Sequence, residues 1–155
     1  AENVLSFHLN NSNNKLIAWD IVGLGRPASG EGFDNGSLVQ SLELVIEGSL
    51  VFVDRLNIDQ ESLLVQSNTG LNGCMLSATA LFYYDDVKAM QKLKEGLQAQ
   101  DWPIHVGAYQ MDGLVVLRVL GQELDSVKAV LYKAWQVARP IVLGVPVIKP
   151  RIWNT

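Results

Sequence analysis

The chain has 155 residues, a net charge of −4 from 12 basic and 16 acidic side chains, and a single cysteine. That length fits one domain spanning residues 1–155, and a folded chain of this size buries roughly 70% of its unfolded surface, enough for a core without disulfides or structural metal. The acidic balance argues against nucleic acid as a partner, since phosphate binding needs clustered Lys and Arg, and the low 18% charged fraction suggests surface covered by another protein.

The first half reads as strands. Leu5, Phe7 and Leu9 alternate with polar neighbours, the period-2 pattern of a half-buried strand. After the polar turn Asn10 to Asn14 comes LIAWDIV, rich in β-branched and aromatic residues. A loop from Gly23 to Gly36 follows, in which Asp34-Asn35-Gly36 offers a tight turn. Leu38, Gln40, Leu42, Leu44 and Ile46 share one face of a long strand, and SLVFVDRLNI and CMLSATALFYY supply two more.

The helices come late. Asp85 or Asp86 is an N-cap for a helix over 85–99, with Val87, Met90, Leu93 and Leu97 as its apolar stripe. Ile104 to Met111 and Leu114 to Leu120 form a hairpin joined at Asp112-Gly113. A second helix over 124–139 carries Val127, Leu131, Ala134, Trp135 and Ala138 on one side, and Pro140 is expected to stop it. A run of strands followed by helices is mainly β, or α+β, rather than a regular βαβ array.

Little in the sequence marks a catalytic or metal centre. GLGRPA, residues 23–28, has the GxGxxA spacing of a dinucleotide site, but that site needs a helix opening there, and the following ASGEGFDNGS has no apolar period. An enzyme binding a nucleotide at this loop is therefore the weaker reading, removed if no helix opens at about Arg26. His8 and His105 are far in sequence from Cys74, and no CxxC, HxxxH or calcium-loop spacing exists, so neither a stable metal site nor a tightly bound cofactor is expected. The opening AENVLSFHLN has no signal-peptide character, and the uncharged run from Ser62 to Tyr84 contains Gln66, Asn68 and Asn72, too polar for a bilayer span. With one cysteine, these features suggest a cytoplasmic protein with no membrane contact. The missing initiator Met and immediate strand pattern are those of a chain that begins inside a fold.

Two carboxylates stand out. Asp20 shares its strand face with Ala18 and Val22, and Asp54 shares its face with Phe52 and Leu56, while Arg55 points the other way. A desolvated, unpaired carboxylate costs several kcal/mol. Each acid must therefore meet a partner from another element, a wet internal passage, or solvent at a sheet edge.

LIAWDIVGLGRPASGEGF, LVQSLEL, VFVDRLNI and the terminal PRIWNT, in that order, resemble the urease accessory protein UreD family, called UreH in some organisms. LGRPASGE and PRIW are the specific signatures. Members are nearly twice as long, so the resemblance is to the C-terminal part. It implies a mainly-β stack of strands, β-helix-like, with two helices near the C-terminal end. It implies a non-enzymatic scaffold and nickel metallochaperone that joins UreF and the GTPase UreG on apo-urease and helps deliver nickel, a metal in transit, to the urease active site. It also implies a water-filled passage, with the acidic positions of the family motifs falling on Asp20, Glu31 and Asp54; Asp54 stands where some relatives have Glu. Contact with a UreF-type partner is expected through the two helices (Val87, Met90, Leu131 and Trp135) and the terminal Ile152-Trp153 pair, and contact with the missing N-terminal part through the first strands. A plain interaction module with structural buried acids is the alternative.

Overall fold

Among the described residues, seven strands form two sheets laid face to face, and two helices cover the outer side of one of them. In the computed structural model, residues 1–25, 29, 32, 33, 36–59 and 61–154 are described, apart from the side chains of Ile152 and Asn154. The strands are β1 (Glu2–Leu9), β2 (Leu16–Gly23), β3 (Leu38–Ile46), β4 (Ser49–Ile58), β5 (Leu76–Tyr83), β6 (His105–Met111) and β7 (Leu114–Gly121). The helices are α1 (Val87–Gln98) and α2 (Leu124–Val142), and a short helical turn follows at Arg151–Asn154. The mainly-β architecture with two late helices agrees with the sequence reading.

One sheet has the order β1-β3-β4 and the other β2-β5-β7-β6. β1 runs parallel to β3, whereas every other neighbouring pair is antiparallel. Parallel pairing requires a crossover, and here the chain makes it by visiting the opposite sheet as β2. The first three strands therefore alternate between layers, after which β4 stays with β3 and β5 to β7 complete the other sheet.

Register fixes which residues meet in each layer. Ile17, Trp19 and Ile21 of β2 lie on the helix side of their sheet with Ala78, Ala80 and Phe82 of β5, and α1 and α2 seal that side through Met90, Leu93, Leu97, Val127, Leu131 and Ala134. On the opposite side, Leu81, Tyr83, Leu114 and Val116 pack against Leu42, Leu44 and Phe52 of the first sheet. A third cluster, around Leu24, Ile58 and Leu71, closes the other end of the space between the sheets. Burying a side chain of this kind contributes ~1.5–3 kcal/mol, so the three clusters hold the layers in place.

Local chemistry explains the ends of the elements. Asp86 caps α1, accepting from the Ala89 backbone N–H at 2.9 Å. Asp112 takes a left-handed φ of 47° at the β6–β7 turn, which Asp tolerates better than most residues. Pro140 does not end α2, as expected from sequence; it lies within the last turn, and the helix runs on to Val142. Continuation buries Val142 completely, and the Arg139 and Pro140 carbonyls still find donors in Leu143 and Gly144. The actual stop is Gly144 at a φ of 69°. Val87 opens the α1 stripe by spacing but is 56% exposed at the first position of the helix.

Candidate functional site

The space between the sheets is apolar at both ends and polar in the middle. Asp20, Thr79 and Arg118 are register partners on β2, β5 and β7, forming one row across the second sheet. Their side chains face the same interlayer space as Gln40 of β3 and Asp54 of β4, and all five line one cavity of about 370 Å³.

Each carboxylate is held by a group from another strand. Asp54 Oδ2 accepts from the Thr79 hydroxyl at 3.0 Å and from Arg118 Nη1 at 2.8 Å. Asp20 accepts from the Gln40 amide, and the Gln40 carbonyl accepts from Asn3 Nδ2 at 2.8 Å. Thus Asn3, Gln40 and Asp20 form one relay, and Thr79, Asp54 and Arg118 a second beside it. Arg55, on the other strand face by parity, donates to Ser41, and it too borders the cavity. Burial works against the Arg118 charge, but hydrogen bonding and attraction to Asp54, reinforced by Tyr109, outweigh it and hold the guanidinium's pKa above its ordinary value. The cavity is therefore lined by two carboxylates, Asp20 and Asp54, and by two arginines, Arg118 paired with Asp54 and Arg55 bonded to Ser41, with hydroxyl and amide groups between them. Such a lining suits a hydrated cation held briefly: oxygen donors are harder and bind a late first-row metal less tightly than imidazole or thiolate.

Of the acids singled out by sequence, the structure brings Asp20 and Asp54 into one cavity; Glu31 lies outside the described residues, as do Arg26 to Ala28 of the glycine loop and Asp34-Asn35 of the expected turn. The described start of that loop serves packing. Leu24 is buried between Ile58 and Leu71 and donates its backbone N–H to Met75, and Gly25 takes a φ of 74°. Sequence reasoning missed Gln40, Thr79 and Arg118 as site residues. The signal was strand parity: each is a polar residue at an inward position of an otherwise apolar strand.

The helix residues expected to meet a partner divide differently. Met90 and Leu131 are buried in the cluster that packs on the second sheet, and Trp135 is buried beside Tyr132 and Trp153, so none of the three is exposed in this chain. Their stripes are occupied by the chain's own sheet; only Val87 remains exposed. Trp153 docks onto its own chain, with ring centroids 5.0 Å from Trp135, 5.4 Å from Trp19 and 6.0 Å from Tyr132. The Ile152 side chain lies outside the described residues. Cys74 is buried, and desolvation pushes its thiol pKa up. Among the described residues no three His, Cys, Asp or Glu side chains stand together as a metal site, and no helix is long and apolar enough to cross a membrane.

The sequence model of the UreD urease accessory protein family matches residues 1–154. The chain belongs to the UreD family. It is 38% identical over 146 residues to a urease accessory protein UreD of Nitrosococcus oceani, covering 91% of this chain and 47% of that protein. A UreD of Pseudomonas fluorescens is 36% identical over 141 residues, covering 91% and 50%, and one of Citrobacter koseri is 32% identical over 151 residues, covering 96% and 50%. The chain thus spans about half the length of the curated UreD relatives it matches. In this UreD chain the acids of the AWD and VDR stretches are the ones that meet in the seam.

Proposed function

We propose that this chain is the C-terminal part of a non-catalytic urease accessory scaffold, and that its intersheet seam passes nickel towards apo-urease. The observation that supports the reading is the placement of Asp20 and Asp54 in one polar cavity between apolar clusters. A purely structural sandwich gains nothing by interrupting its core with two acids, because replacing buried ion pairs with apolar residues is often neutral or stabilising. Oxygen-lined passage with no thiolate or imidazole cluster lets a metal enter and leave. UreF and the GTPase UreG are the proposed partners in the cytoplasm, with the N-terminal part of the family fold against the first strands. Val87 and the exposed face of the helices, rather than their buried stripes, are what remains for UreF.

The test is to co-produce Asp20→Ala and Asp54→Ala variants with UreF, UreG and urease, then measure complex yield and nickel per urease active site separately. Normal complex with low nickel is the expected result for both. Normal nickel loading, or a complex that never assembles, removes the passage role for that residue and favours a structural ion pair.

A further inference from the structure

The acid at the middle of the seam is not free to meet a cation. Arg118 already occupies Asp54 Oδ2 at 2.8 Å, so any metal ion approaching that carboxylate competes with a guanidinium. The two partners differ in access: the Arg118 side chain is 47% exposed and that of Asp54 21%. Arg118 stands on the solvent side of the pair. Its cross-strand neighbour on β6 is Gly107, where an added Cβ would meet nothing within 4 Å, so no side chain of that neighbour covers Arg118, and its one further tie is to Tyr109. Thr79, by contrast, is buried and holds Asp54 from within.

We propose that Arg118 is a displaceable counter-ion that gates cation access to Asp54, a role that rests on the seam being a cation route. With Arg118 seated, the Asp54 charge is neutralised, and the seam admits no cation there without breaking the pair. Displacement moves the guanidinium into water, where an exposed arginine is well solvated, and leaves Asp54 oriented by Thr79 for a divalent ion. A half-exposed ion pair contributes little net stability, so a divalent cation can displace it reversibly. The exchange is balanced in charge type: one cation leaves the carboxylate as another arrives.

The experiment is equilibrium dialysis of the chain against Ni(II) alone, comparing wild type with Arg118→Gln, Asp54→Asn and the double variant, and checking each fold by thermal unfolding. Arg118→Gln is expected to tighten Ni(II) binding about two- to fivefold, the size of one such ion pair, and the gain is expected to vanish in the double variant. Unchanged binding in Arg118→Gln, or a gain that survives Asp54→Asn, overturns the gate. Should Arg118→Gln fail to fold, the wild type still decides: sub-stoichiometric Ni(II) is expected to broaden the Arg118 Nε–H and Thr79 amide NMR signals, and broadening confined elsewhere overturns the proposal. Tighter binding by Arg118→Gln together with normal nickel loading of urease by the Asp54→Ala variant would instead leave the counter-ion exchange at Asp54 standing and remove the passage reading.

Discussion

The guanidinium of Arg118 and the carboxylate of Asp54 lie 2.8 Å apart although they belong to opposite sheets. This contact couples the layers at the one level where apolar packing between them is interrupted. It also changes what removing Asp54 means, because the acid is partnered by Thr79 as well as Arg118.

Asp54→Asn keeps an acceptor for Thr79 but takes the charge from Arg118. Because Arg118 is half exposed, water replaces much of what is lost, and the expected cost is about 0.2–1 kcal/mol. Urea denaturation at low salt and at 1 M salt checks this: the difference from wild type is expected to shrink as salt screens the pair. A loss of several kcal/mol insensitive to salt would mean that Asp54 is chiefly a packing element.

The tip of the β6–β7 hairpin has no room for a methyl group at its second residue. A Cβ at Gly113 would lie 2.8 Å from the Tyr84 carbonyl oxygen, next to the backbone bond from Tyr84 N–H to the Gly113 carbonyl. Gly113→Ala is expected to lower stability by about 1–3 kcal/mol. Unchanged melting would show that the hairpin tip shifts freely.

Trp153 closes an aromatic cluster with Trp19, Tyr132 and Trp135. Trp153→Ala is expected to cost about 1–3 kcal/mol, the range of a partly buried aromatic with several ring contacts. Near-UV circular dichroism should weaken while the far-UV signal is kept. Collapse of the far-UV signal would mean that the C-terminal turn holds the whole helix layer.

Burial raises the Cys74 thiol pKa, so less thiolate is present at any given pH than for a free cysteine. Alkylation by iodoacetamide at pH 8 is expected to be slow in the folded chain and to accelerate in urea. The folded thiol ionises at higher pH than the unfolded one, so its contribution to stability is present below the ordinary value of 9.0 and is lost as pH rises through the folded value. Native labelling as fast as unfolded labelling would contradict the buried placement.

Much of this arrangement was legible in sequence because strand parity and helical spacing are local properties. The seven strands, the Asp86 cap, the Asp112-Gly113 turn and the inward direction of Asp20 and Asp54 all follow from residues within a few positions of one another. Their partners do not. Gln40 reaches Asp20, and Arg118 reaches Asp54, only because the chain crosses between sheets, and nothing local records that pairing. The same limit applies to Met90, Leu131 and Trp135: an apolar stripe says that a helix face is covered, not by which chain. Pro140 was misread because the rule for proline is local, while the burial of Val142 that carries the helix past it is tertiary.

The threading of strands between layers has a temporal side. Asp20 emerges from the ribosome before its partner Gln40, and Asp54 precedes Arg118 by 118 − 54 = 64 positions. During synthesis both acids are therefore present, charged and solvent-facing, before the counter-ion from β7 exists to close the second relay. Pairings of such long sequence separation form late and slowly. Until β7 is added, the half-built layer holds Asp20 through Gln40 and Asp54 through Thr79 alone, and the Asp54 carboxylate acquires its cation only when β7 is in place.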